Sequence, residues 1–306
     1  MKRAILVLLG LAVVVALGFW FLTSPDRQRA GLEPVPAGEP NLDNGRTLFF
    51  AGGCASCHAT PEQDDKTRLG GGFALTSAFG TFYAPNISPH PQDGIGGWTQ
   101  EQFLRAMRGG VSPDGRHYYP SFPYTSYQRM TPTDVRDLFA FIKTLPVVEG
   151  RARAHDLPFV FTLRRGLGLW KLLFLDGQAF APDAAKSASW NRGAYLVEGP
   201  GHCAECHSPR NLFGAIDTDR RFSGGPNPEG KGFVPNVTPH PRGIGDWTKS
   251  DVAEVLGSGM TPEGDFVGGT MAAVVRNTSQ VPAADRDAMA EYLLSLPPRE
   301  GRRAVQ

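Results

Sequence analysis

The strongest constraint on the fold is that most of the chain is written twice. Cys54-Ala55-Ser56-Cys57-His58 returns as Cys203-Ala204-Glu205-Cys206-His207, 149 positions later. Pro85-Asn86-Ile87-Ser88-Pro89-His90-Pro91 returns as Pro235-Asn236-Val237-Thr238-Pro239-His240-Pro241 at an offset of 150. Gly94-Ile95-Gly96 and Trp98-Thr99 return as Gly243-Ile244-Gly245 and Trp247-Thr248. Two copies are too few for a solenoid, and a period this long is a whole domain. The sequence therefore predicts two like domains, 41–150 and 190–300, joined by a segment at 151–189 and followed by a tail at 301–306.

Each copy reads as three helices set in long loops. Gly 37 and Pro 26 together make about a fifth of the 306 residues, against roughly 12% in ordinary chains. The first helix runs from about Asp43 into the cysteine motif. The second opens at Thr99, with Gln102 three residues on as in a capping box, and Phe103, Leu104 and Met107 keep the helical period. The third takes Thr131 as N-cap and Pro132 at its first position, and runs from Thr133 to Leu145 with Leu138, Phe139 and Ile142 as its apolar stripe. Thr248, Asp251, Pro282, Met289, Tyr292 and Leu293 repeat the scheme, with the last helix over Ala284 to Leu296. No stretch alternates convincingly with period two, so the expected class is all-α.

Ahead of the repeats, Met1-Lys2-Arg3 leads into nineteen uncharged residues, Ala4 to Leu22. At 1.5 Å per residue they extend about 28 Å, close to the hydrocarbon thickness of a bilayer. A cleavable signal usually has a shorter apolar region with a small-residue site after it, and here Ala16-Leu17-Gly18 falls inside the run. Residues 1–23 thus read as an uncleaved signal-anchor. Lys2 and Arg3 favour a cytoplasmic N-terminus, although Arg27 and Arg29 dilute the bias, and Trp20 suits the far interface. Residues 24–40, with four prolines, read as a flexible tether. The expected topology is a membrane crossed once, with the repeats on the exported side. Lys+Arg 31 against Asp+Glu 30 leaves a net charge of +1, too balanced for a nucleic-acid binder.

The repeated motif carries the chemistry. Cys-x-x-Cys-His is the attachment signal of c-type haem. Cys57 and His58 stand three and four residues after Cys54, so all three project from neighbouring parts of one helical turn. Paired thioethers from Cys54 and Cys57 pin one edge of a porphyrin while His58 reaches the iron; Cys203, Cys206 and His207 repeat the arrangement. A structural zinc site wants four ligands, and a thioredoxin-like pair wants a strand–helix setting. Neither explains two copies at one place in a repeat. The motif thus predicts two covalent haem c groups that consume all four cysteines.

An electron-transfer haem needs a sixth ligand, and methionine opposite histidine is the usual choice. In the second repeat Met271 lies in the Gly-rich loop Gly268-Gly269-Thr270-Met271, ahead of the last helix, with Met260 as its rival. In the first repeat Phe122 falls opposite Met271 and cannot ligate. Met130 is the next candidate, followed by His117, then Met107 or an open position. His90 and His240 follow proline in loops and read as surface residues or neighbours of the haem propionates.

Taken together, Cys-Ala-Ser-Cys-His, Pro-Asn-Ile-Ser-Pro, Gly-Ile-Gly-Gly-Trp-Thr, Ser-Pro-Asp-Gly-Arg-His-Tyr-Tyr-Pro and Val-Gly-Gly-Thr-Met resemble the multihaem cytochrome c subunits of membrane-bound bacterial alcohol and gluconate dehydrogenases. The resemblance covers about 41–300 and implies two tandem cytochrome c class I-like domains behind the N-terminal transmembrane helix. It implies electron delivery from a dehydrogenase or quinol donor to a terminal oxidase or soluble cytochrome acceptor. It also implies that Asn86, Trp98, Asn236 and Trp247 line the haem pockets and that Met271 is a distal ligand. From the residues alone, the two asparagines read equally as turn residues and the two tryptophans equally as core. Those relatives often carry three haems, whereas this chain has two motifs, and many have methionine where it has Phe122. No residue acts as general acid or base in this reading. The rivals are a dihaem peroxidase using an open first haem and a haem-based gas sensor.

Between the repeats, Gly166-Leu167-Gly168-Leu169-Trp170-Lys171-Leu172-Leu173-Phe174-Leu175 is too short to span a bilayer. It reads either as a helix packed between the domains or as a face laid on a membrane or partner, with Arg164, Arg165 and Lys171 at the headgroups.

Overall fold

The computed structural model describes residues 1–27, 32–228 and 232–301; Arg29, with part of the expected tether, and most of the expected tail lie outside them. Helix α1 (Lys2–Leu22) holds no buried residue, and its 21 residues are long and apolar enough to cross a membrane. The first repeat comprises α2 (Leu42–Ala51), α3 (Cys54–His58), β1 (Ala74–Ser77), β2 (Gly80–Tyr83), α4 (Gln100–Gly109), α5 (Tyr124–Tyr127) and α6 (Pro132–Ile142). After α7 (Phe159–Thr162) and α8 (Leu167–Phe174), the second repeat supplies α9 (Ala188–Glu198), α10 (Ala204–His207), β3 (Gly225–Pro226), β4 (Phe233–Val234), α11 (Lys249–Ser258), α12 (Gly269–Thr278) and α13 (Ala283–Leu294).

The N-caps form as the sequence predicts. Thr99 and Gln102 close a reciprocal capping box, as do Thr248 and Asp251. The Thr131 hydroxyl accepts from the Asp134 amide with Pro132 in the first turn. Three expectations need correction. The chain is mostly helical but not wholly so: β1 pairs with β2 from Ala74↔Tyr83 to Ser77↔Gly80, and β3 with β4. These strands of two to four residues are too short for alternation to show. The first helix does not run into the cysteine motif, because Gly53, at φ 56°, turns left-handed and separates α2 from α3. Met271 lies in the first turn of α12, a ten-residue helix, where a loop was expected.

In each repeat the first and last helices cross at a glycine. A Cβ on Gly45 of α2 would fall on the Asp137 carbonyl of α6, and one on Gly193 of α9 on the Ala288 carbonyl of α13. Only glycine lets the backbones approach this closely. Leu48, Phe49, Leu138 and Ile142 fill the first crossing; Leu196, Met289 and Leu293 fill the second, and all belong to one continuous core.

The linker docks on the first repeat through a buried cation. Lys171 of α8 is fully buried, donates to the Gly109 and Gly110 carbonyls at 2.7 and 2.6 Å, and meets His117 Nδ1 at 3.1 Å. His117 Nε2 in turn donates to the Thr23 carbonyl at 2.9 Å, so Nδ1 is the acceptor for the lysine. Burial, followed by the nearby Lys171 charge, lowers His117 to about 4. Burial, followed by Arg105, lowers Lys171 to about 7.

Because the folded pKa of His117 lies below the ordinary 6.5, the unfolded chain binds more protons between pH 4 and 6.5. Stability therefore rises with pH across that window. His117→Gln keeps a donor for Thr23 and should flatten this rise by up to about 3 kcal/mol. Thermal melts of both proteins from pH 4 to 7 check the difference.

Candidate haem-attachment sites

Each Cys-x-x-Cys-His segment forms a short helical turn, α3 in the first repeat and residues 203–207 in the second. The Cys54, Cys57, Cys203 and Cys206 thiols carry no disulfide. Burial pushes Cys54 up to about 12, with Cys57 adding to it. Burial likewise pushes Cys203 to about 12, with Glu198 and Cys206 adding.

The histidines show whether a haem fits. His58 Nδ1 donates to the Pro85 carbonyl at 2.8 Å, and His207 Nδ1 donates to the Pro235 carbonyl at 2.8 Å. That bond fixes ring orientation and tautomer and leaves Nε2 as the unprotonated nitrogen, the arrangement common to metal-ligating histidines. Burial lowers the pKa of both imidazoles against the raising effect of the proline carbonyls. Both rings are thus kept neutral, as a metal ligand must be. A haem c fits this donor set: two thiols and an oriented, neutral imidazole on one turn, present twice.

The Pro-Asn segments hold these carbonyls in place. Asn86 Nδ2 donates to the Val148 and Gly150 carbonyls at 2.7 and 2.8 Å, and its Oδ1 accepts from the Ser88 amide at 2.8 Å. Asn236 Nδ2 donates to the Arg299 carbonyl at 2.8 Å, and its Oδ1 accepts from the Thr238 amide at 2.8 Å. Both asparagines are buried. Each closes its own turn and ties it to the segment after the last helix. Trp98 and Trp247 are half-buried and pack against the core. His90 and His240 use Nδ1 to accept backbone amides of their own loops, from Asp93 and Arg242.

Among the methionines, Met271 is partly buried against the core, whereas its rival Met260 is 41% exposed. Met130 is fully buried just before the N-cap of α6, beside Gly199 of the second repeat. Met107 is buried in α4. His117 has both ring nitrogens engaged by Thr23 and Lys171, which leaves none for iron. Phe122 packs edge-on to Tyr118 and Tyr127.

Sequence reasoning missed that each attachment motif is held by the opposite repeat. Ser56, between Cys54 and Cys57, accepts from Asn277 Nδ2 of α12 at 3.0 Å. Glu205, at the equivalent place in the second motif, accepts from Thr125 and Ser126 of the first repeat at 2.6 and 3.1 Å. His202 Nε2 donates to the Gly52 carbonyl at 3.1 Å, and its ring lies 5.6 Å from that of Tyr127. Tyr127 reaches the other side as well: burial, then Cys54, Cys57 and Glu205 beside it, push its phenol well above its ordinary value. Burial alone would raise Glu205, but Arg210, paired at 2.6 Å, and the Thr125 hydroxyl outweigh it and lower the carboxyl. His202 stands at φ 40° where the first repeat has Gly53. Its contact with Gly52 accompanies a left-handed backbone that glycine adopts freely.

Known proteins agree with this geometry. The cytochrome c family profile matches residues 42–146. A diheme cytochrome c-type protein of Cereibacter sphaeroides is 49% identical over 300 residues, 97% of this chain and 99% of that protein. The fructose dehydrogenase cytochrome subunit of Gluconobacter japonicus is 37% identical over 270 residues, 87% of this chain and 55% of the subunit. The cytochrome c subunit of the quinone alcohol dehydrogenase of Gluconobacter oxydans is 32% identical over 272 residues, 85% of this chain and 56% of the subunit. The chain thus spans little more than half the length of these two subunits. Fold and site define a c-type cytochrome. More particularly, the chain belongs to the dihaem c-type cytochromes related to the cytochrome c subunits of quinone-dependent dehydrogenases, and its cofactors are two covalently bound haem c.

Asn86→Ala should strand the Gly150 carbonyl and the Ser88 amide and leave the Val148 carbonyl to the Ser88 hydroxyl alone, costing about 1–3 kcal/mol. Asn236→Ala should do the same in the second repeat. Chemical denaturation of the holoprotein checks both.

Proposed function

We propose that the protein is a membrane-anchored electron carrier. It takes single electrons from a periplasmic or membrane dehydrogenase or a quinol donor and passes them to a terminal oxidase or soluble cytochrome. In this reading 41–150 and 190–300 are cytochrome c class I-like domains, α1 is a single inner-membrane anchor, and both haem domains stand in the periplasm. Cys54, Cys57, Cys203 and Cys206 tether the haems, and His58 and His207 are the proximal ligands. Bound haem supplies a one-electron iron couple, whose potential a methionine ligand raises.

The observation that carries the reading is the reciprocal seam. Ser56 of one motif is held by α12 of the other repeat, Glu205 is held by α5 of the first, and His202 and Gly52, which flank the two motifs, are hydrogen-bonded. Buried Tyr127 and partly buried His202 fill the seam. A fixed separation of two like redox groups is what single-electron relay requires.

For the distal side, Met271 is assigned to the second haem, where it packs on the core at the start of α12. Met130, buried ahead of α6, is assigned to the first. Met271→Ala should abolish the methionine-to-iron charge-transfer absorption of one haem, and Met130→Ala that of the other. Each should lower the potential of its own haem in a spectroelectrochemical titration. An unchanged band in either variant removes that methionine as a ligand.

A further inference from the structure

Helix α8 is amphipathic in the wrong sense for water. Its inward side carries Gly168 and the buried Lys171, while Leu169, Leu172 and Leu173 form one i, i+3, i+4 stripe that faces outward. Leu173 is 71% exposed. Covering a leucine is favourable by about 1.5–3 kcal/mol, so three on one face make a surface that water does not stabilise. Further exposed apolar side chains stand in α7 and in the second repeat. Phe159 of α7 is 80% exposed, and Leu212 and Phe213 of the second repeat are 97% and 66% exposed. The Trp170 indole donates to the Phe213 carbonyl at 2.9 Å, which fastens that loop of the second repeat to α8.

This surface abuts the end of α1. Gly168 presses on Thr23 with no room for a Cβ. Arg165 donates to the Trp20 carbonyl at 2.5 Å and to the Thr23 hydroxyl at 2.9 Å, and its guanidinium lies 4.1 Å from the Trp20 ring. Arg27 lies over Phe21. Cations and an aromatic ring gather at the level where the apolar helix stops, as they do at a membrane–water interface.

We propose that the face formed by Phe159, Leu169, Leu172, Leu173, Leu212 and Phe213 lies in the headgroup–acyl boundary of the bilayer that α1 enters. The proposal rests on the anchor reading of α1 given above. It differs from a free tether in its consequence: both repeats are held flat on the membrane, through α8 for the first and the 212–213 loop for the second. Electrons are then exchanged with partners at a fixed height. Continuity with α1 favours lipid over a protein partner as the occupant, since a bilayer is already at the edge of the patch. An interfacial helix sinks about 5–10 Å into that boundary.

The test uses the full-length, haem-loaded and reduced protein in phosphatidylcholine–phosphatidylglycerol vesicles, with a nitroxide at Leu172→Cys. Phe213→Cys serves as a second position and exposed Asp287→Cys of α13 as the reference. At 172 and 213, collisions with a water-soluble nickel chelate should fall at least fivefold below those at 287, while oxygen collisions are retained. Nickel access equal to the reference overturns the proposal. Shielding from both reagents also overturns it, in favour of a protein cover. Intact mass reports α1 separately: a chain lacking it removes the anchor, and the proposal with it. Visible spectra of the same samples report whether both haems are in place, so failure of the electron-carrier reading is read independently.

Discussion

Everything at the two sites depends on one hydrogen bond made twice, from Nδ1 of an attachment-motif histidine to a proline carbonyl. It sets ring orientation and tautomer, and without it His58 and His207 would be free to rotate on a helical turn of five residues or fewer. The bond is only as firm as the loop that offers the carbonyl. That loop is closed by Asn86 or Asn236 and tied to the segment after the last helix. The last helix is itself placed by the glycine crossing at Gly45 or Gly193. A line of support therefore runs from helix crossing, through turn, to imidazole, and the duplicated sequence repeats every link.

Duplication also explains the seam between the repeats. Ser56 and Glu205 occupy the same place in their motifs, and each is held by the opposite repeat close to its attachment turn. The exchange is close to two-fold in pattern but not in chemistry. One side uses a neutral hydroxyl–amide pair, and the other a carboxylate kept charged by Arg210. The surroundings of the two attachment motifs consequently differ in charge.

Much of this was legible in the residues. Thr99 with Gln102 and Thr131 with Pro132 announce helix starts because capping is local chemistry, and Cys-x-x-Cys-His announces its cofactor because the spacing is helical. The hairpins at 74–83 and 225–234 were not legible, since strands this short leave no periodic trace. The helical setting of Met271 was masked by the glycines before it. His202 gave no signal, because a left-handed histidine is held by a contact 150 residues away. The contacts of Ser56 and Glu205 with the opposite repeat are tertiary and have no local pattern. Helix α8 reads as apolar in sequence, but only the structure shows that its lysine points inward and its leucines outward.

The account stands on both motifs being loaded, each through its own pair of sulfurs. Proteolytic peptide mapping of the mature protein by mass spectrometry addresses this directly. The peptide spanning Cys54 to His58 and the peptide spanning Cys203 to His207 should each carry the added mass of one haem, with no free thiol in either. A disulfide or unmodified cysteines in either peptide would contradict the account, because the matching histidine would then have no iron to face.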